Sequence, residues 1–313
     1  MTIETIQIQS QDQWLAERVK DVTSTEVSAL FDLNPYLTQF ELYQQKSTGQ
    51  VVKIPENTRM KWGKRLEAPI ALGVAEDEGW DISKLDVYMR QTETRIGSSF
   101  DYMITSSSDG PGIMEIKNVD GLQYRQKWTE DEAPEHIELQ IQHQMLVSGM
   151  KWTALVAMVG GNDPKIIYRN FDEDIAKSIA ERVAAFWSMV LSGTAPSADY
   201  SRDADAIISA YRQVHAGQIF DATGDNEIAS MVMDYQTMGA ALDDLETRRK
   251  AIKAQLLEKI GTAEKVIAPW GSISAGMTKD TPPKIITADM VGQEIGGRKG
   301  YRNFKLNLKK ENA

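Results

Sequence analysis

The chain has 313 residues, of which 42% are hydrophobic and 26% charged, with a formal net charge of -10 and no Cys. That length is enough for one large domain or two ordinary ones, and the lack of Cys excludes disulfides, thiolate nucleophiles and Cys-ligated zinc or iron–sulfur centres. No run reaches the roughly 18 apolar residues of a membrane span, and the N-terminal stretch lacks the basic start and apolar core of a signal peptide, so the expected compartment is the cytoplasm. The acidic balance argues against a general nucleic-acid coat but leaves room for a local basic groove.

In chain order, residues 14–30 read as a loop leading into a helix, with Thr23-Ser24-Thr25-Glu26 as caps and Val27, Leu30 and Phe31 as its apolar stripe. A second helix is predicted from residue 57 to about 75, carrying Trp62, Leu66 and Ile70, with Pro69 expected to kink it or mark an irregular turn. Residues 93–104 read as a strand, 106–112 as a hairpin turn and 113–119 as the returning strand. A helix over 134–148 stops at Gly149, strands over 153–159 and 165–171 flank a Gly-Gly-Asn-Asp turn, and a helix over 173–191 follows. This order predicts an α/β (α+β) fold, a central mixed sheet covered by helices. Trp62, Trp152 and Trp187 fall on apolar stripes and are expected in the core.

Turn formers over 192–199 divide a first domain, 1–200, from an extension, 201–313. There, 203–216 and 224–260 read as helical, with an approximate heptad stripe of Ile228, Val232, Tyr235, Leu242, Leu245, Ile252 and Leu256 that Arg249 interrupts. A single helix over that stretch would be about 50 Å long, which favours a helical hairpin or an intersubunit arm over an isolated rod. Short segments around 266–267, 270–274 and 301–306 suggest a small sheet. Arg298, Lys299, Arg302, Lys305, Lys309 and Lys310 make the terminus basic, as a solvated tail or as a contact for DNA or a partner.

The sharpest chemical pattern is Asp101 followed by Glu115-Ile116-Lys117. Residues i and i+2 of a strand share a face, so Glu115 and Lys117 emerge together, and a hairpin closing at 106–112 brings Asp101 alongside. Two carboxylates suit a hard divalent cation, and a nearby ammonium can position an attacking water, which together suits phosphodiester hydrolysis. Spacing alone favours a solvated strand face with a surface ion pair. On the helix 134–148, His136, Gln140 and Gln144 form a polar stripe, while His136 and His143 lie too far apart to share a metal and read as polar surface or DNA-facing residues.

The pattern sits in ordered company: Trp14-x-x-x-Arg18, Thr23-Ser24-Thr25-Glu26, Asn34-Pro35-Tyr36, Trp62-Gly63-x-x-x-Glu67, Ser99-x-Asp101, Glu115-Ile116-Lys117 and Gln140-Ile141-Gln142. Over roughly residues 12–195 this set resembles the phage recombination exonucleases of the YqaJ and lambda-exonuclease type, within the PD-(D/E)xK nuclease superfamily. The resemblance implies a restriction-endonuclease-like central sheet and metal ligation by Asp101, Glu115, Glu67 and the carbonyl of Ile116. It makes Lys117 the catalytic lysine, places Gln140 beside the metal and leaves Gly63 as open space near Glu67. It further implies a 5′-phosphate pocket of Arg18, Thr25 and Ser99, although for Arg18 alone an ion pair with Glu17 or Asp21 is the default. The Pro of the superfamily motif is missing, since Phe100 precedes Asp101, but that Pro binds no metal.

The implied activity is Mg²⁺-dependent 5′→3′ digestion of one strand of linear double-stranded DNA, with Mn²⁺ as substitute. It would leave a 3′ overhang for a single-strand annealing protein, in a phage- or prophage-encoded homo-oligomer, commonly a ring trimer, acting in the bacterial cytoplasm. The alternatives are a PD-(D/E)xK endonuclease, a single-strand nuclease, or a DNA-binding assembly module with a vestigial site; the iron–sulfur single-strand nucleases need Cys, which is absent.

Overall fold

The structure is a computed structural model that describes residues 2–49, 51, 56–211, 217–280, 284–285, 294–295 and 305–308. It divides into two compact units, Met1–Ala216 and Gly217–Ala313. The first unit opens with β1 (Ile3–Gln7), α1 (Gln11–Val19) and β2 (Val22–Thr23), then a 3-10 helix (Val27–Phe31), α2 (Gln39–Thr48) and α3 (Thr58–Glu78). Next come β3 (Asp81–Lys84), β4 (Val87–Gln91), β5 (Ile96–Ser99), β6 (Tyr102–Ser106), β7 (Gly112–Val119) and α4 (Gly121–Lys127). The unit ends with α5 (Glu135–Ser148), β8 (Trp152–Val159), β9 (Asp163–Asn170), α6 (Glu173–Ser192) and α7 (Ala204–Ala210).

The strands form two mixed sheets, one of four strands in the order β1-β4-β5-β2 and one of five in the order β3-β6-β7-β8-β9. In the larger sheet β7 pairs parallel with β8, and its other pairs are antiparallel. The expected α/β architecture of mixed sheet and flanking helices is present. The central strand β7 is covered on both faces. Met114 and Ile116 pack with Ile70, Ala71 and Val74 of α3, while Ile113 joins the cluster of Leu139, Met145, Val183 and Phe186 from α5 and α6. Gly112 is required at the start of β7, because a Cβ there would overlap the Trp152 ring.

Several expectations need correction. Residues 93–104 are not one strand: the chain leaves the four-stranded sheet at Ser99 and enters the five-stranded sheet at Tyr102. Phe100 and Asp101 form the crossing point, unmarked by Gly or Pro. Residues 14–30 hold the end of α1, a two-residue strand and a 3-10 helix instead of a loop and one helix. Helix α3 runs unbroken through Pro69 to Glu78, with Asn57 as its N-cap and Gly79 closing it in the left-handed conformation. Trp62 on that helix is 50% exposed and so lies outside the core, whereas Trp152 and Trp187 are buried as expected. His143, read as a surface or DNA-facing residue, is fully buried, because α5 is covered nearly all round by both sheets and α6.

The second unit contains α8 (Asn226–Ile260), β10 (Lys265–Ala268), β11 (Gly271–Ser274), β12 (Lys284–Ile285), β13 (Glu294–Ile295) and β14 (Lys305–Leu308). The hairpin expected over 224–260 does not form: α8 is one helix of 35 residues, capped by Asp225, and Gly239 alone does not break it. Strands β10, β11 and β14 make a three-stranded sheet, as the alternation suggested. Residues 301–304 and the basic residues Arg298, Lys299, Arg302, Lys309 and Lys310 lie outside the described residues, and Lys305 opens β14. Among the described residues no helix is long and apolar enough to cross a membrane.

Candidate functional site

Strand alternation places Glu115 and Lys117 on the face of β7 that looks toward α5, and the consequence is burial. Glu115 is only 3% exposed, which rules out the solvated strand face that spacing alone favoured. A buried carboxylate needs donors, and this one has three. Lys117 Nζ and Gln140 Nε2 donate to Glu115 Oε1 at 2.5 and 2.6 Å, and Gln144 Nε2 donates to Oε2 at 2.7 Å. Gln140 and Gln144 are one helical turn apart on α5, so a single helix face grips both oxygens.

Asp101 reaches the same place from the crossing between the sheets, where its Oδ2 accepts the Ile116 N–H at 2.9 Å. Burial, reinforced by the Glu115 charge, pushes the Asp101 carboxyl well above the usual carboxylate range. For Lys117 burial opposes the charge, but the Glu115 and Asp101 carboxylates outweigh it and hold the ammonium more firmly than in water. Glu67 faces the same cleft from α3, although its carboxylate accepts from Lys84 Nζ at 3.1 Å. Gly63, one turn before it, has open space where a Cβ would stand.

A second cluster adjoins the carboxylates. Arg18, in the last turn of α1, donates from Nη2 to Thr25 Oγ1 at 2.9 Å and lies over the Trp14 ring at 4.5 Å. Trp14 Nε1 in turn donates to Ser99 Oγ at 2.7 Å. The surface pairing with Glu17 or Asp21, the default for Arg18 taken alone, does not occur, and both carboxylates are engaged by Arg90, each at 2.7 Å. Arg18 instead lies 3.7 Å from Glu26. Glu26 is bound by the buried Lys46 ammonium at 2.8 Å, and Lys46 Nζ also donates to the Arg18 carbonyl at 2.8 Å. Asn34 Nδ2 donates to the Thr25 carbonyl at 3.0 Å, which accounts for its place in the ordered motifs.

All nine residues singled out in the sequence (Arg18, Thr25, Glu67, Ser99, Asp101, Glu115, Ile116, Lys117 and Gln140) line one cleft of about 260 Å³. Sequence reasoning missed the grip of Gln144 on Glu115, the bridging role of Trp14, and the Glu26–Lys46 pair beneath Arg18. Trp14 and Glu26 stood inside motifs already singled out, whereas Lys46 on α2 carried no local signal. His136 stands aside, edge-on to Tyr36 at 6.4 Å, and burial lowers its pKa. Among the described residues no three His, Asp or Glu side chains gather closely enough to cage an ion unaided.

The fold and cleft define an α/β protein with one buried and one half-buried carboxylate and an ammonium beside a cationic, hydroxyl-lined pocket. Comparison with known proteins then shows a likeness: residues 13–151 match the family model of the YqaJ-like viral recombinase domain. The chain is 26% identical over 263 residues to the "Uncharacterized protein YqaJ" of Bacillus subtilis (strain 168), covering 82% of this chain and 80% of that protein. Among solved structures, an alkaline exonuclease (LHK-Exo) from Laribacter hongkongensis aligns at 21% identity and a TM-score of 0.47, over 63% of this chain and all of that one. A phage-related exonuclease from Haemophilus somnus 129PT aligns at 10% identity and a TM-score of 0.37, over 56% of this chain and 96% of that one.

Proposed function

We propose that the chain is a Mg²⁺-dependent DNA exonuclease that digests one strand of linear duplex 5′→3′ from an end. The observation that carries this reading is the sharing of one cleft by Asp101, Glu115 and Lys117 with the Arg18, Thr25 and Ser99 cluster. A hydrolytic centre beside a pocket suited to a terminal phosphate favours cutting at ends over cutting within a strand.

The donor set fits a hard cation. Burial and the Glu115 charge raise the cost of ionising Asp101, which a divalent ion would relieve, and Mg²⁺ commonly uses only one or two carboxylates, completing its shell with water and phosphate oxygens. Asp101, Glu115 and the Ile116 carbonyl would hold it, with Glu67 in the same cleft; when bound it would supply Lewis acidity and lower the pKa of a coordinated water. Mn²⁺ takes similar oxygen donors and would substitute.

The protein's own groups do the rest. Gln140 and Gln144 fix both oxygens of Glu115, so its carboxylate is oriented before substrate arrives. Lys117 stays protonated, orients the attacking water and offsets charge building on the phosphoryl oxygens. Arg18 offers a guanidinium fork to the terminal phosphate, with the Thr25 and Ser99 hydroxyls as further donors. The family resemblance supports the remaining parts of the reading: a 3′ overhang passed to a single-strand annealing protein, a ring-shaped homo-oligomer, and action in the bacterial cytoplasm.

Incubation with Mg²⁺ and either linear or covalently closed duplex tests the proposal. It expects complete loss of the linear form and an untouched circle. Cutting of the circle would establish the endonuclease reading instead, and no hydrolysis of either would favour a vestigial site.

A further inference from the structure

Helix α8 is 35 residues long and buries none of them. Most helical stability in proteins comes from packing an apolar face, and a long apolar stripe left in solvent is unusual for a monomer. Met231, Tyr235, Met238, Leu242, Leu245 and Ile252 recur at alternating steps of four and three, with Arg249 filling the one gap, and they are 54% to 82% exposed. This is the seam of a two-stranded coiled coil sustained over more than three heptads.

We propose that α8 is an arm through which two copies of this chain associate, as an antiparallel coiled coil centred on Ala240. Charge selects the orientation. In a parallel, in-register pair Arg249 would meet its own copy inside the seam, and the flanking Arg248 would face Lys253 of the other helix. An antiparallel pair centred on Ala240 removes both conflicts. Ile228 then lies opposite Ile252 of the other copy, Tyr235 opposite Leu245, and Met238 opposite Leu242. Arg249 lies opposite Met231, where its stem covers the seam while its head reaches water.

The flanking positions agree with this register. Asp234 faces Arg248 of the other copy, and the symmetry makes that attraction twice; within one chain Arg248 makes an exposed ion pair with Asp244 at 2.9 Å. At the centre, Gly239 and Ala241 flank the seam with small side chains, so no bulk keeps the two helices apart there. The overlap from Ile228 to Ile252 spans 24 steps, about 36 Å at 1.5 Å per residue. Sliding the pair by one heptad sets Ile228 against Lys259 and loses both Asp–Arg contacts. Nothing in this inference depends on the nuclease reading, and every variant below lies outside the unit that holds the cleft.

The native chain has no Cys, so single cysteines report unambiguously. Full-length Ile228→Cys and Ile252→Cys are oxidised separately and as a mixture. The antiparallel pair predicts covalent dimers in the mixture and few in either variant alone; efficient linking of either variant to itself would overturn the orientation. Sedimentation of the full chain supplies a second reading. Asp234→Arg should weaken self-association about fivefold, and adding Arg248→Asp should restore it to within about twofold, because each contact occurs twice. Leu242→Asp with Leu245→Asp should weaken it roughly a hundredfold. Pairing of monomers or of whole rings that persists unchanged in that last variant, or a wild-type chain that shows no such pairing at tens of micromolar, would show that the stripe is covered by something other than a second copy.

Discussion

Removing the Arg18 guanidinium should abolish the preference for phosphorylated 5′ ends while leaving the carboxylate cluster intact. Arg18 is held from three sides: by the Thr25 hydroxyl at 2.9 Å, by the Trp14 ring at 4.5 Å and by Glu26 at 3.7 Å. It is therefore pre-organised, and little side-chain entropy remains to be lost when a phosphate arrives. A charge-assisted contact of this kind contributes about 1.5–3 kcal/mol, so a 5′-hydroxyl end should be digested roughly tenfold to a hundredfold more slowly than a 5′-phosphate end by the wild type. Arg18→Ala should bring the two rates within about threefold, chiefly by slowing the phosphorylated substrate. Arg18→Lys should recover only part of the difference, because a point charge replaces the fork and loses its stacking on Trp14. The assay is single-turnover digestion of two duplexes that differ only in that terminal group, with enzyme in excess so that loading does not set the rate. Equal wild-type rates would refute the pocket, and full preference in Arg18→Ala would assign it to other groups.

Three further perturbations probe the site and its support. Asp101→Asn should lower Mg²⁺ affinity at least about tenfold in calorimetry, since it removes a charged oxygen ligand; unchanged affinity would move the metal elsewhere. Burial holds the His143 imidazole neutral, with its pKa pushed down to about 4 from an ordinary 6.5. Between those values the unfolded chain binds a proton that the folded chain does not, so stability is intact above pH 6.5 and falls by about 3 kcal/mol as pH drops toward 4. Urea unfolding of wild type and His143→Met across that window checks this, and an equal pH slope in both would contradict it. Gly97→Ala should destabilise the protein by about 2 kcal/mol or more, because the added methyl overlaps the Tyr88 hydroxyl, which together with Arg90 is bonded to Asp21; a thermal midpoint unchanged within about 2 °C would contradict the packing.

Much of the larger sheet was legible because its strands and covering helices obey local rules. Ile113–Val119 follows directly on a turn rich in Ser, Asp, Gly and Pro, Gly149 and Gly193 stop α5 and α6 in the left-handed conformation, and α6 carries a continuous buried stripe from Ala176 to Trp187. The four-stranded sheet was not legible. Its β2 is two residues long and β1 is almost wholly exposed, so neither shows the apolar alternation that marks a strand. The switch of sheets at Phe100–Asp101 also lacked a signal, yet it is the feature that brings Asp101 beside β7. The site residues themselves were found by ordered motifs, not by periodicity. What spacing could not reveal was burial: Glu115 looked like half of a surface ion pair until α5 was seen to cover it with Gln140 and Gln144. In the second unit the pattern gave the helix but not its single, unbroken course, because one Gly amid good helix formers costs only about 1 kcal/mol.

On the proposed reading, Asp101, Glu115 and Lys117 form a metal-dependent centre that attacks the strand whose 5′ end occupies the Arg18 pocket. It is tested most directly by following a linear duplex labelled separately at its 5′ and 3′ termini, with Mg²⁺ present or chelated, in wild type and in Lys117→Ala shown to be folded by circular dichroism. Early release of the 5′ label only is expected, none after chelation, and a rate reduced roughly a hundredfold or more in Lys117→Ala with duplex binding retained. Early release of the 3′ label, or near-normal turnover without the Lys117 ammonium, would contradict it.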